Sequence, residues 1–318
     1  MRLGKKREND ANTLALHKKS LWKRIIEYKY FYLMFVPVLI WYIMFQYAPI
    51  YGIVMAFQDF SYAKGFSGSD WVGLKHFIAL FQDEYFLRAF RNTVIIAICR
   101  VVFCCTFELL VALLLNEVRA RLFRKTVQTV LYIPHFLSWV IVASVFLTIL
   151  SPERGVLKPL FALFGKSAPA PLMDPELFRP LLILTAMWKE AGFGTIMYIA
   201  AIAGIDPTLY EAARIDGASR WQQLWHVTIP GIKSTIVVLF ILNLGQCLKW
   251  GFDQVYNLYN RLVFDTGDIV DTFIVRTAMA DSRFSYAAAA GLVMSLMCMT
   301  ILLIANKVMK KVAGHSIY

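Results

Sequence analysis

Long apolar runs, separated by polar and charged segments, are the dominant pattern of this chain. Six runs are each about 20 residues long and nearly free of charge, the length that a helix needs to cross a bilayer. They lie near residues 31–57, 93–116, 127–150, 181–204, 234–250 and 287–306. Backbone polar groups in lipid must be paired within their segment, so each run is predicted to be helical. The pattern predicts an all-α membrane protein with six transmembrane helices.

Composition and charge agree with this prediction. Of 318 residues, 58% are hydrophobic and 17% are charged, against roughly 25% charged in soluble domains. Nineteen lysines and arginines lie in the two terminal tails and in the loops after the second and fourth runs, and eleven lie in the other three loops. Positive residues concentrate on the cytoplasmic side. Both termini are therefore predicted to be cytoplasmic, with loops 58–91, 151–179 and 251–286 outside.

The domain organisation that follows is simple. Residues 1–29 are predicted to form a basic cytoplasmic arm, residues 30–311 the six-span domain, and residues 312–318 a cytoplasmic tail. Within the arm, an apolar side at residues 21–26 suits an anionic lipid surface, and topology-setting charge alone is the alternative. The net charge of +12 reflects this inside bias. No basic folded domain is visible, so nucleic acid is not an expected partner.

Motifs for catalysis or metal binding are missing from the sequence. It has no G-x-x-x-x-G-K-[ST] phosphate loop and no H-E-x-x-H motif. The five histidines are scattered, and the cysteines fall inside predicted spans without ligand spacing. We therefore predict that the chain is not an enzyme and holds neither a metal nor a cofactor.

The polar segment 205–233, between the fourth and fifth runs, has a shape of its own. Asp206 is a suitable N-cap for a helix over 208–215. Gly217 breaks this helix and allows a turn. A second helix is predicted over 219–226, ended by Pro230. Two short helices joined at a glycine form a compact knob that suits a groove in a partner protein, and a plain interfacial hairpin is the alternative.

The spacing within this segment resembles the EAA loop through which ABC importer permeases grip their ATPases. The matching positions are Glu211, Ala212, Ala213, Gly217, Val227, Ile229 and Pro230. The resemblance implies a type I, MetI-like permease fold and assigns ATPase coupling to a defined set of residues. That set is Glu211, Ala212, Ala213, Asp216, Gly217, Ala218 and Pro230.

Other segments resemble carbohydrate permeases of the maltose type. Residues 71–77 and 90–93 match their outer loop, and residues 254–260 and 271–273 resemble permeases for larger oligosaccharides, with Arg261 in place of an expected proline. The implied function is the membrane subunit of an ATP-driven, binding-protein-dependent oligosaccharide importer in the bacterial cell membrane. The implied partners are a second homologous permease, two subunits that bind ATP and Mg²⁺, an extracellular solute-binding protein, and membrane lipids.

Polar and aromatic residues inside the spans are candidates for the substrate pathway, because polar groups in lipid usually face a cavity or another helix. Counted back from the EAA loop, 188–193 align with a segment that lines the sugar site in maltose-type permeases. The predicted pathway residues are Trp188, Lys189, Glu190, Phe193, Asn243, Gln246 and Trp250.

Alternatives remain open for the charged members of this set. Lys189 and Glu190 could pair with each other or with an outer loop, or Lys189 could meet a uronic acid of the substrate. Arg100 and Glu108 in the second run are expected to have a structural role, with partners on another helix or on the other permease. For the whole chain, an ion-coupled secondary transporter or a non-transporting scaffold are the competing functions.

Overall fold

The computed structural model describes residues 27–153, 155–246 and 251–313, with only the backbone at 246, 305 and 308–313. The arm over 1–26, including its apolar side, the pathway residue Trp250 and the tail beyond 313 lie outside these ranges. The chain divides into two compact units, Met1–Val54 and Met55–Tyr318.

The first unit consists of one helical segment in its described part. Helix α1 (Lys29–Tyr42) continues as a π-helical turn (Ile43–Tyr47) and then as a 3₁₀-helix that begins at Ala48 and extends to Phe57. The sequence is apolar on all sides of this segment, which is typical of a helix in lipid. Residues Lys29–Phe57 are long and apolar enough to cross a membrane, as predicted.

The second unit opens with a short hairpin. Strands β1 (Gln58–Asp59) and β2 (Asp70–Trp71) pair antiparallel, with Gln58 opposite Trp71. Helical turn α2 (Gly65–Gly68) lies between them, and helix α3 (Lys75–Gln82) follows the hairpin. Asp83 then caps α4 (Glu84–Glu117) by accepting from the backbone N–H of Tyr85 at 2.9 Å. This span begins well before the apolar run at residue 93.

The third predicted span is broken. Helix α5 (Arg121–Tyr132) runs into a 3₁₀-turn (Ile133–Phe136), and α6 (Trp139–Ile149) leaves it at an angle of 104°. The prediction of one continuous helix over 127–150 is therefore wrong. Pro134 has no N–H to donate, and Ser138 begins a new helix by capping the N–H of Ile141. A short helix, α7 (Leu157–Ala162), lies in the following loop.

The fourth and fifth spans carry the polar knob between them. Helix α8 (Pro175–Ala203) bends by 68° into α9 (Pro207–Ile215). A second helical run comprises α10 (Arg220–Gln223), a π-turn (Leu224–Thr228) and α11 (Ile229–Gly231), and it meets α12 (Lys233–Gln246) at 61°. The predicted end at 226–230 is corrected to Gly231, because the helix accommodates Pro230.

The remaining elements are the last span, α16 (Phe284–Ala313), and four short elements before it. The four short elements, here named the outer layer, are α13 (Phe252–Leu258), a 3₁₀-turn (Arg261–Val263), α14 (Phe264–Gly267) and α15 (Val270–Met279). In the described part of the chain, three helices alone could cross a membrane, and up to six segments could do so if each bent pair is one span. The upper figure agrees with the six spans that the sequence predicts.

A buried polar network holds the outer layer on helices α4 and α8. Asp268 is fully buried and receives two hydrogen bonds from Arg276, at 3.0 and 2.6 Å. The Asn92 side chain on α4 donates to the Asp268 carbonyl at 3.0 Å and accepts from Arg179 on α8 at 2.7 Å. Buried polar groups that are all paired fix a unique arrangement. This network joins α4, α8 and the outer layer at one end of the bundle.

Candidate functional site

The first half of the knob has a capped, sharply ended helix. Asp206 accepts from the N–H of Thr208 at 2.9 Å, and this bond lowers the pKa of Asp206 from its ordinary value. At the other end Gly217 has a φ of +77°, which residues with a Cβ adopt at a cost. The N–H of Ala218 bonds the carbonyl of Ala213 at 2.8 Å, the pattern of a Schellman motif. The predicted N-cap and break at 217 are thus confirmed.

The second half of the knob is locked to the first. Ser219 and Gln222 form a capping box, in which the Gln222 side chain accepts from the N–H of Ser219 at 2.7 Å. The Tyr210 hydroxyl lies 2.9 Å from the Thr228 hydroxyl, which joins the two helical runs. This contact holds the two halves of the knob against each other.

The outward surface of the knob mixes the motif residues with large apolar side chains. Glu211, Ala212, Asp216, Gly217 and Pro230 are exposed, and Ala213 and Ala218 are half-buried. Ile215 and Trp221 are 87% and 67% exposed, and Trp225 packs edge-on to Trp221. Exposed large apolar side chains on a polar surface are typical of an interaction site. Of the seven predicted coupling residues, five are therefore exposed and two are half-buried.

Charged residues converge in the middle of helices α4 and α8. The Glu190 carboxylate lies 3.7 Å from the Arg100 guanidinium and 3.9 Å from the Lys189 ammonium. Its other oxygen lies 3.2 Å from Nδ1 of His135. Arg100 and Lys189 are buried. Lys189 and Glu190 thus lie within ion-pair distance, one of the alternatives that the sequence left open, and Arg100 has a partner on another helix, one of its two predicted alternatives.

The same cluster also hydrogen-bonds the backbone at the break in the third span. Lys189 donates to the carbonyl of His135 at 3.1 Å, directly before the break between the 3₁₀-turn and α6. Both cations also lie over the ring of Trp139, with Arg100 at 5.9 Å and Lys189 at 5.4 Å. Irregular backbone at membrane depth persists only where protein groups satisfy it. Lys189 therefore has a structural role in addition to any contact with substrate.

Gln254 from the outer layer completes the cluster. Its side-chain oxygen accepts from Arg100 at 3.0 Å, and its amide donates to the carbonyl of Leu182 at 2.6 Å and to Thr185 at 2.7 Å. No individual role is predicted from the sequence for Gln254, Trp139 or His135. A signal for His135 was present, since it follows Pro134 inside an apolar run.

The predicted pathway residues do not form one group. Trp188 and Phe193 lie on the exposed side of α8, 44% and 56% exposed, whereas Lys189 faces the interior. Phe193 stacks on His135 with ring centroids 4.8 Å apart, and Trp188 packs edge-on to Phe146. Asn243 donates to the Cys105 sulfur at 3.1 Å. Only the backbone of Gln246 is described, and Trp250 lies outside the described residues.

Glu108 is buried against Gly194 of α8. A Cβ at position 194 would overlap the Glu108 carboxylate, so any larger residue at this position requires that side chain to move. Glu108 also lines a cavity of about 20 Å³ together with Arg100, Glu190 and Asn243. In the part of the chain that the structure describes, no three His, Cys, Asp or Glu side chains are placed to hold a metal ion.

Known proteins with similar sequences and structures have transport functions. The family model "binding-protein-dependent transport system inner membrane component" matches residues 108–313. The polygalacturonan/rhamnogalacturonan transport system permease protein YteP of Bacillus subtilis (strain 168) is 44% identical over 301 residues, covering 95% of this chain and 94% of the relative. Protein LplB of the same organism is 38% identical, covering 96% of each chain.

A solved structure agrees with these relatives. A chain of a bacterial ABC transporter involved in the import of the acidic polysaccharide alginate superposes with a TM-score of 0.85 at 39% identity, covering 93% of this chain and 100% of that chain. A second structure of a bacterial alginate ABC transporter, in complex with alginate pentasaccharide-bound periplasmic protein, gives the same TM-score at 38% identity. The present chain belongs to the family of binding-protein-dependent transport system inner membrane components.

Proposed function

We propose that this chain is the permease subunit of an ATP-driven importer of oligosaccharides that carry uronic acids. The observation that carries the substrate class is the cluster behind the exposed aromatic residues of α8. There the buried Lys189, next to Trp188 in the sequence, lies 3.9 Å from the carboxylate of Glu190, farther than a hydrogen bond. The carboxylate of a uronic acid would supply a second counter-charge to this buried side chain and offset the cost of its lost hydration.

The aromatic residues supply the other half of sugar recognition. Trp188 and Phe193 present exposed rings on which the apolar faces of sugars can stack. Lys189 directly follows Trp188 on α8, so the carboxylate of a uronate stacked on Trp188 gains an electrostatic attraction to the Lys189 side chain. A neutral sugar gains the stacking alone. The similar proteins include a polygalacturonan/rhamnogalacturonan transport system permease and an importer of the acidic polysaccharide alginate, which supports the same class.

Energy for transport enters through the knob in this proposal. The chain has no phosphate loop, so ATP and Mg²⁺ are bound by two separate ATPase subunits that grip the knob through its exposed face. A second, homologous permease completes the pathway, and an extracellular solute-binding protein delivers the sugar. ATP binding then moves the knobs and rocks the two permeases between inward- and outward-facing states. Both termini of this chain lie in the cytoplasm.

Co-purification tests the class of transporter. The chain is expressed in its native host with an affinity tag, extracted in mild detergent, and analysed for bound subunits. Stoichiometric recovery of an ATPase and a second permease is expected. Sugar uptake without any ATPase, driven by an ion gradient, would instead indicate a secondary transporter, and recovery without uptake activity in any reconstitution would indicate a scaffold.

A further inference from the structure

An open groove of about 780 Å³ lies between the knob and the end of helix α4. Arg119 follows α4 directly, while Arg214 and Arg220 lie on the two halves of the knob. Glu117 and Tyr210 line the groove as well. The groove is thus built from three separate chain segments, and a ligand held in it would contact all of them.

The groove has an excess of positive charge. Three guanidinium groups line it, against the one carboxylate of Glu117. Arg220 lies 3.5 Å from Glu117, and among the described residues no carboxylate pairs with Arg119 or Arg214. Guanidinium groups present a planar fork of donors that matches the oxygens of a phosphate. The lining therefore suits a phosphate-bearing anion.

The position of the groove indicates the membrane boundary. Helix α4 ends at Glu117, α8 ends at Ala203, and α12 begins at Lys233. Beside the groove, residues from all three segments form an apolar cluster that includes Leu113, Ile202 and Ile232. Ile202 also lines the groove. A basic pocket at the ends of transmembrane helices is a place where lipid headgroups bind.

We propose that this basic groove, formed by Arg119, Arg214 and Arg220, binds a phosphate group, and that an anionic phospholipid headgroup is its source. A phosphate there bridges the two halves of the knob and fixes them against the end of α4. The lipid thereby stabilises the knob in one position relative to the spans. This inference concerns a site separate from the sugar pathway and does not depend on the substrate.

The test uses the full transporter complex in nanodiscs of phosphatidylcholine with a minor fraction of phosphatidylglycerol, followed by extraction and native mass spectrometry of retained lipid. The double variant Arg119→Gln, Arg214→Gln is expected to retain about twenty-fivefold less phosphatidylglycerol, about fivefold for each arginine. The control Arg121→Gln, Arg124→Gln alters two exposed arginines outside the groove and is expected to retain the wild-type amount.

Inorganic phosphate distinguishes the two sources of the anion. If phosphate raises the melting temperature of the wild-type complex but not of the double variant, and phosphatidylglycerol is not retained, the groove binds free phosphate and the lipid assignment is wrong. Equal lipid retention and equal phosphate response in the wild type and the double variant would overturn the site altogether. The single variant Arg119→Gln, which leaves the knob unaltered, provides the same comparison if the double variant does not assemble.

Discussion

The guanidinium of Arg100 and the carboxylate of Glu190 lie 3.7 Å apart across the contact between helices α4 and α8. The two residues are far apart in sequence, and neither is part of the knob. Their contact joins the charged cluster, the broken third span and the outer layer, because Glu190 also meets His135 and Arg100 also meets Gln254. The middle of the membrane domain is thus organised around one shared carboxylate.

Gly217→Pro is expected to abolish ATP-driven uptake while the protein stays in the membrane. Proline fixes φ near −65°, whereas residue 217 has a φ of +77°, so the knob must rearrange. Gly165→Pro is the matched control, since Gly165 also has a positive φ, +63°, but lies in a loop away from the knob. Uptake is measured in cells, with membrane content determined by immunoblot. Wild-type uptake by Gly217→Pro would refute the coupling role.

Glu211→Lys tests the coupling role of the knob without introducing backbone strain. Glu211 is exposed and the structure assigns it no ion pair within the described residues, so its reversal should leave folding intact. Uncoupling of ATP hydrolysis from uptake is expected. Unchanged ATPase binding and uptake in both Glu211→Lys and Gly217→Pro would show that another surface docks the ATPase.

Gly194→Ala is expected to destabilise the protein by about 1–3 kcal/mol, the usual effect of overpacking. The added Cβ would overlap the Glu108 carboxylate. Shortening the carboxylate side chain in the double variant Gly194→Ala, Glu108→Ala should restore part of the loss, giving a coupling energy in a double-mutant cycle. Thermal unfolding in detergent measures it. Strict additivity of the two changes would contradict the close approach of α4 and α8 at this point.

Asp59 provides a pH-dependent contribution to stability. A hydrogen bond from Lys75, 2.7 Å away, lowers the pKa of Asp59 below its ordinary value. A lowered folded pKa means that the stabilisation is complete above the unfolded value of about 3.9 and is lost as pH falls through the folded pKa. Asp59→Asn should therefore slightly lower the melting temperature at neutral pH. The difference from wild type should vanish in acid, and a difference that grows on acidification would reverse the assigned sign.

The side of the membrane on which the knob lies is tested by labelling. In a cysteine-free background, Ser219→Cys is expected to resist an impermeant thiol reagent in intact cells and to react after permeabilisation. Ser67→Cys, in the predicted outer loop, should react in intact cells. Both positions are exposed in the structure, so access depends on topology alone. Reaction of Ser219→Cys in intact cells would overturn the predicted orientation.

Local signals in the sequence were sufficient for the knob. The N-cap at Asp206 and the break at Gly217 each depend on neighbouring residues, so the sequence predicts them. The capping box at Ser219 is equally local but was not predicted. The spans follow from hydropathy for the same reason, since each run satisfies its own backbone. The break after Pro134 was missed because the apolar composition of the run outweighed a single proline.

The charged cluster depends on packing between distant segments. His135, Arg100, Glu190 and Gln254 come from four different elements, and no periodicity in the chain relates them. Lys189 and Glu190 are adjacent in sequence, so their pairing could be considered from the sequence. Nothing in the sequence indicates that Glu190 also contacts Arg100 and His135. Trp188 and Lys189 are adjacent in sequence. Only the structure shows which side of α8 is buried, and therefore that Lys189 faces the interior while Trp188 is exposed.

The most direct test of the account is uptake of matched oligosaccharides, one built from uronic acids and one neutral, by the full complex in proteoliposomes. Uptake is expected to require ATP and to be faster for the uronate oligosaccharide. In Lys189→Met the rate of uronate uptake should fall about tenfold, equivalent to about 1.4 kcal/mol. Neutral uptake should fall less than uronate uptake, because for the neutral sugar only the structural bond from Lys189 to the His135 carbonyl is lost, and the exposed variant Lys158→Met should resemble wild type. Equal loss of both substrates in Lys189→Met, or uptake that proceeds without ATP, would contradict the account.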